Sequence, residues 1–477
     1  MDAKHYDLIV VGGGAAGEKG AAQAAYYGKR VAMIERDIHL GGATAGTTVP
    51  SKTLRETSLI LSGYRARKLH GIDLSLHHQA TIQDFLYHEK FVKKTERFRV
   101  LTNMVSHNVD VLHGRGVFVN SNTVRVDASE GDTRFVTGEV ILIATGSSPR
   151  RPDLYPDDDR IFDSDTILQI PDMPREMVVI GGGVIGCEYA CIFKALDTKV
   201  SLVHTRDSIL PFLDGDIAYA LQKSMEKMGV KMVMPEKVKA CRATPGGILL
   251  EFESGRSMKT KAVMLATGRI SNTRTMDLKA AGIELNKHGF IPVNNHYQVV
   301  HPETREPVPG IYACGDVVGS PSLASTSMEQ ARYAMIKAFD LDPYKKQVAP
   351  ILPLGIYTIP ECSGAGKTER DCRKEEIPYV VGRANYGQNP RGMIMGDFDG
   401  FLKLIYEETE YSGEPMRLLG VHVIGEIASE IIHIGLTALM MKATSDLFIN
   451  TCFNYPTLGE LYKYATYDAM DRRSRRR

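Results

Sequence analysis

Apolar residues along this chain fall into short runs of strand length, separated by longer stretches of mixed character, and the alternation repeats. Residues 6–11 (YDLIVV) form one such run. A glycine-rich turn follows, then an alanine-rich stretch of helical character reaching Tyr27, and a second apolar run at 30–34 closes on Glu35. Strand, helix and strand in that order predict a βαβ unit. The succession recurs as a strand at 177–180, a helix at 187–196 and a strand at 199–203. Between the two units, 85–105 is charged and helical in period, and 109–127 alternates like a strand meander around Gly114-Arg115-Gly116. Residues 140–146 form an apolar strand ending in Ala144-Thr145-Gly146. A related strand at 262–268 ends in Ala266-Thr267-Gly268, and the strand at 310–316 ends in Asp316. From about residue 350 the texture changes to strand-like segments at 355–359, 379–384, 400–406 and 418–424, with a helix at 427–441.

Each βαβ turn carries G-x-G-x-x-G: Gly12, Gly14 and Gly17 in the first, Gly181, Gly183 and Gly186 in the second. The first glycine allows the tight turn, the second lets a pyrophosphate approach the backbone, and the third lets helix pack on strand. One such motif is weak evidence, but two, each between a strand and a helix, make coincidence improbable. The chain therefore predicts an α/β fold of two Rossmann-like dinucleotide-binding domains, one inserted in the other, followed by an α+β unit. The expected boundaries are 1–150 and 281–349 for the first domain, 151–280 for the inserted one, 350–470 for the third unit and 471–477 for a basic tail.

The two fingerprints differ in one respect. Glu35 lies where an acid binds the ribose 2′-hydroxyl, whereas the residue at the same offset in the second unit is His204, with Arg206 two positions on. A carboxylate there would repel a 2′-phosphate and an arginine accommodates one. The second site is thus expected to tolerate NADP without excluding NAD.

A hydrophobic fraction of 43%, a charged fraction of 24% and a formal charge of +1 are ordinary for a soluble globular protein and argue against a general nucleic-acid binder. No run of about 18 apolar residues predicts a membrane span, and no charged leader with a long apolar run predicts a secretory signal. Seven scattered cysteines without a C-x-x-C pair suggest reduced thiols in the cytoplasm and give no metal site. Cys187 and Cys191, four apart on one helix, read as small apolar packing residues. The arginine-rich run 472–477 reads as a solvated terminus, with an anionic partner as the alternative.

With both fingerprints, VPSK at 49–52, ATGS at 144–147, ATGR at 266–269, GD at 315–316 and YPTLGE at 455–460, the chain resembles the class I pyridine nucleotide–disulfide oxidoreductases to about Tyr467. The resemblance implies FAD on the first domain, a nicotinamide nucleotide on the inserted one, and a third domain that forms a homodimer. It implies FAD contacts from Gly12, Gly14, Gly17, Glu35, Gly116, Thr145, Gly146, Ser147, Asp316 and the segment Leu323, Ala324, Ser325. Gly181, Gly183, Gly186, His204 and Arg206 would serve the NAD(P) side, and Gly268 would be a further cofactor-binding residue. Lys52 would lie beside the flavin, paired with Glu188, because a cation near the ring favours its reduced anionic form. Tyr189 would be an aromatic gate over the nicotinamide pocket; a core tyrosine is the alternative.

Two departures go together. The family's redox disulfide would end at position 48, which is threonine; its partner position is Ala43, or Thr44 if a gap is allowed. The family's C-terminal histidine, which shuttles the thiol proton, is here Tyr455. Thiolate chemistry without thiols needs no such base. Threonine before VPSK and Asn-Tyr-Pro-Thr near the C-terminus are similar to one branch, the soluble pyridine nucleotide transhydrogenases. The expected activity is hydride transfer between NADPH and NAD⁺ through FAD, ping-pong at one nucleotide site. The alternative is an NAD(P)H:quinone or dye reductase.

Overall fold

Residues 8–11 of the strand Lys4–Val11 are apolar on both faces because both faces are covered there. Leu8 and Val10 pack with Ala21, Ala24, Ala331 and Ala334, while Ile9 and Val11 pack on the opposite side with Ile34 and Ile141. The computed structural model describes residues 3–64, 81–128, 131–342, 347–408 and 414–475. They form two compact units: Met1–Pro50 with Tyr87–Arg150 and Gly268–Ala349, and Ser51–Leu86 with Arg151–Thr267 and Pro350–Arg477.

In the first unit the sheet order is Gln298–Val300, Pro307–Ala313, Thr133–Ile143, Lys4–Val11, Val31–Glu35, Asp110–His113, with Arg115–Phe118 and Thr123–Asp127 extending it. Its four central pairings are parallel. The strand Pro307–Ala313 rejoins this sheet after the second fingerprint, as expected of a domain interrupted by an insertion. The chain leaves through Ser147–Pro149 and returns through Arg269–Ser271, and these two short strands pair antiparallel.

In the second unit a parallel sheet runs Lys231–Val233, Lys199–Val203, Glu176–Ile180, Ala262–Leu265, Ile161–Phe162, beside an antiparallel meander of Val238–Thr244, Gly247–Phe252 and Ser257–Thr260. A five-stranded antiparallel sheet follows, ordered Leu354–Ile356, Glu361–Gly366, Leu418–Gly425, Phe401–Glu407, Tyr379–Asn385. Helices Ala428–Met440 and Leu461–Arg475 pack on it through Ile432, Leu439, Tyr462 and Ala465. No described helix is long and apolar enough to cross a membrane.

The arginine-rich terminus departs from expectation. Through Arg475 it continues the helix Leu461–Arg475 instead of fraying. Arg472 and Arg475 pair with Asp468 and Asp471 one turn back, and Arg473 is buried, donating to the Glu414 carbonyl at 3.0 Å. Acids placed four residues earlier compensate Arg472 and Arg475. Arg476 and Arg477 lie outside the described residues.

Candidate active site

In the first unit, the turn after Lys4–Val11 is shaped by close approaches. A Cβ on Gly17 would strike the carbonyl of Gly12, and one on Gly12 (φ +106°) the carbonyl of Ala144. The helix Ala15–Tyr26 starts at Gly14 with no side-chain cap, so its first-turn N–H groups face outward, a ready anion site. Glu35 Oε2 accepts the N–H of Gly13 at 2.7 Å and Oε1 that of Asp37 at 3.0 Å. Burial raises the Glu35 carboxyl despite those bonds. Thr145 Oγ1 is buried with no partner among the described residues, and the space beside Gly146 is open. Ser147 donates to Asp316 at 2.6 Å. Arg269 donates to Ser147 through Nε (2.7 Å, to Oγ) and Nη2 (2.7 Å, to the carbonyl). Leu323, Ala324 and Ser325 form the uncapped start of the helix Ala324–Ala338. Gly116 sits inside the sheet, where a Cβ would lie 2.9 Å from Val11. Uncapped helix starts, an orphan hydroxyl and a buried acid suit the phosphates, ribose and ribityl chain of FAD.

The second unit repeats the turn. A Cβ on Gly186 would meet the carbonyl of Gly181, and Gly183 opens the helix Val184–Ala195 with free space before it and no side-chain cap. Here Gly182 N–H is accepted by His204 Nδ1 at 3.1 Å. That bond fixes the neutral tautomer with its proton on Nε2, an atom buried without a partner among the described residues. Burial, followed by the charge of Arg206, lowers the His204 pKa. Arg206 is exposed, and Gly268 (φ +106°) belongs to the first unit, where its carbonyl accepts Arg150 N–H at 2.9 Å.

Lys52 and Glu188, 136 residues apart, are brought together. Lys52 Nζ donates to both Glu188 oxygens at 2.9 and 2.8 Å and lies 5.0 Å from the centre of the Tyr357 ring. Tyr357 N–H donates to Glu188 Oε1 at 3.0 Å. The lysine side chain keeps 27% of its surface exposed against 4% for the glutamate, so the pair is anchored from the acid end. Tyr189 is buried and packs on Phe193, the core position and not an exposed gate in this conformation.

The stretch 41–52 folds as a turn of π-helix, Thr44–Thr48, running into the helix Val49–Leu61. Ala43 and Thr48 are exposed there. The chain does contain seven cysteines, all unpaired and six of them buried. Burial raises the thiols of Cys187 and Cys191, the latter to about 12. Arg269, Tyr357 and Asn272, whose Nδ2 donates to the Thr145 carbonyl at 2.9 Å, escaped the sequence reading. Only Arg269 had a signal, the repeated Ala-Thr-Gly ending that precedes it.

Two dinucleotide turns on separate parallel sheets, with a half-buried lysine held by a buried carboxylate, define a nucleotide-dependent redox protein. The chain belongs to the pyridine nucleotide-disulphide oxidoreductase family: residues 6–331 match that family's model and 352–466 its dimerisation domain. It is accordingly a flavoprotein oxidoreductase that uses FAD and NAD(P)H, and a homodimer. It is 39% identical over 472 residues to the soluble pyridine nucleotide transhydrogenase of Mycobacterium tuberculosis, covering 98% of each chain. It is 37% identical over 475 residues to the protein of that name from Aliivibrio fischeri, again covering 98% of each. LpdA from Mycobacterium tuberculosis superposes with a TM-score of 0.87 at 25% identity, covering 97% of this chain and 99% of that one. The flavoprotein disulfide reductase RclA from Escherichia coli shares the fold, with a TM-score of 0.84 at 23% identity over 97% and 99% of the two chains.

Proposed function

We propose that this chain transfers hydride from NADPH to NAD⁺, giving NADP⁺ and NADH, in two half-reactions at one nucleotide site. The observation that carries the reading is the Gly182–His204 bond. It puts a neutral imidazole where the first fingerprint has a carboxylate. An imidazole does not repel a 2′-phosphate, exposed Arg206 attracts one, and neither excludes a 2′-hydroxyl. A site that serves twice needs that tolerance. FAD, when bound, supplies the two-electron store between the half-reactions. Lys52 is held by Glu188 to present a positive charge, Gly183 and the uncapped helix start receive the nucleotide phosphates, and Glu35, Thr145 and Asp316 hold the flavin cofactor. The names of the relatives support the same activity.

The absence of cysteine from 41–52, together with Tyr455 in place of a thiol base, supports a route that bypasses a disulfide. The seven thiols are all unpaired, which suits the cytoplasm. A second reading, reduction of a quinone or dye, is favoured by the exposure of the small residues Ala43 and Thr48. Rapid mixing separates the two. NADPH should bleach the flavin absorbance and NAD⁺ should restore it at a rate matching turnover, with parallel initial-velocity lines. Strict selectivity for one nucleotide in both half-reactions would rule out the first reading.

A further inference from the structure

The long helix Ile82–Ser106 carries apolar residues on two opposite faces. One face packs inward through Val100 and Met104. On the other, Tyr87, Phe91, Phe98, Leu101 and Val105 remain 78%, 63%, 68%, 44% and 65% exposed. Counting Lys94, their spacing alternates four, three, four, three and four, the a/d rhythm of a coiled-coil seam. At ~150–250 Å² for a fully exposed aromatic, the stripe presents roughly 600 Å² of surface. Soluble monomers seldom show a contiguous apolar patch beyond a few hundred Å².

The seam is complementary to itself. Laid antiparallel on a second copy about a two-fold axis level with Glu96, Tyr87 meets the partner's Val105, Phe91 the partner's Leu101, and Lys94 the partner's Phe98. All are a-to-d contacts of the kind such a pairing requires. Lys94, the one polar member, meets an aromatic ring, which its aliphatic stem covers while the ammonium stays in water. Such a contact would bury roughly 1,200 Å² in total, above the ~1,000 Å² expected of a specific interface. This chain already pairs with a second copy of itself through its dimerisation domain, so the same stripe on another copy is at hand as its occupant.

We propose that Ile82–Ser106 pairs antiparallel with the same helix of a second copy, adding a coiled-coil contact to those of the dimerisation domain. The test uses the full-length holoprotein. Phe91→Glu/Phe98→Glu, which changes only exposed positions, should raise the dissociation constant measured by sedimentation at least tenfold while leaving circular dichroism and flavin content unchanged. In a Cys452→Ser background, copies bearing Lys94→Cys are co-expressed with differently tagged copies bearing Phe98→Cys and oxidised with diamide. The covalent dimers should carry both tags. An unchanged assembly in the charged variant would overturn the proposal. So would links formed between Phe98→Cys copies alone, the result a parallel pairing gives.

Discussion

Glu35 and His204 each accept a backbone N–H from the middle of their own glycine turn, Gly13 at 2.7 Å and Gly182 at 3.1 Å, and each bond spans 22 residues. The two side chains occupy one position in a duplicated unit, and they differ in charge. Under the proposed function the first turn would hold a ribose hydroxyl, and the second turn lacks the charge that would reject a phosphate.

His204→Glu should therefore restore that rejection. We expect kcat/KM for NADPH to fall about 10- to 100-fold and that for NADH to change little, roughly 1.4–3 kcal/mol of discrimination. Steady-state kinetics with both nucleotides check it, and equal losses for the two would remove the basis of the assignment.

The same bond makes the protein sensitive to acid. Burial, then Arg206, lowers the His204 pKa, so the folded protein binds the proton more weakly than the unfolded chain does. The stability contributed by neutral His204 is whole above about pH 6.5 and drains away as pH falls through the folded value. Unfolding midpoints measured from pH 7.5 to 5 should fall more steeply for the parent than for His204→Gln, which has no proton to gain. Parallel curves would show that His204 does not contribute.

Lys52→Met should leave the Glu188 carboxylate buried with only the Tyr357 N–H. Breaking such a pair costs about 2–3 kcal/mol once the lysine's partial exposure is allowed for. Lys52→Met/Glu188→Leu should recover much of that stability in denaturant titration, since no unpaired charge remains. It should not recover hydride transfer, which needs the cation. Recovery of both would make the pair purely structural.

Lys403 is fully buried, and its ammonium reaches Asp214 (2.6 Å), Asp216 (2.5 Å) and Glu369. With Arg383 on Asp216 and Arg373 on Glu369, it balances an acid cluster formed where the helix Gly215–Met228 begins. Burial by itself would raise the Asp214 carboxyl, but His422 and Lys403 outweigh it and hold it low. Lys403→Met should cost about 3–5 kcal/mol, read from the urea midpoint. A loss below about 1 kcal/mol would mean that the cluster relaxes by taking up protons or water.

Ser147→Ala removes the hydroxyl that links Arg269 to Asp316. FAD retention on dilution, followed by the fluorescence of released flavin, should fall severalfold, and Arg269→Ala should do the same through the lost support of Ser147. Unchanged retention in both would separate Asp316 from this network.

The sequence by itself determined the repeated strand–helix–strand units, the glycine approaches, the change of acid to histidine and the absence of cysteine from 41–52. Those are local: a period of apolar residues or a Cβ that would strike the next carbonyl depends on neighbours a few positions away. Element ends shifted by a few residues, as where the strand foreseen at 140–146 proved to run Thr133–Ile143, because ladder partners decide where a strand stops. What the tertiary structure alone decided is long-range and electrostatic. No spacing rule places Tyr357 N–H against Glu188, Arg269 against Ser147, or Lys403 among three acids. Asp468, Asp471 and the Glu414 carbonyl take up Arg472, Arg475 and Arg473, which spacing alone leaves solvated. A side chain's charge is written in the sequence, but the group that compensates it is chosen by the fold, because a charge is costly to bury until a partner from elsewhere in the chain arrives.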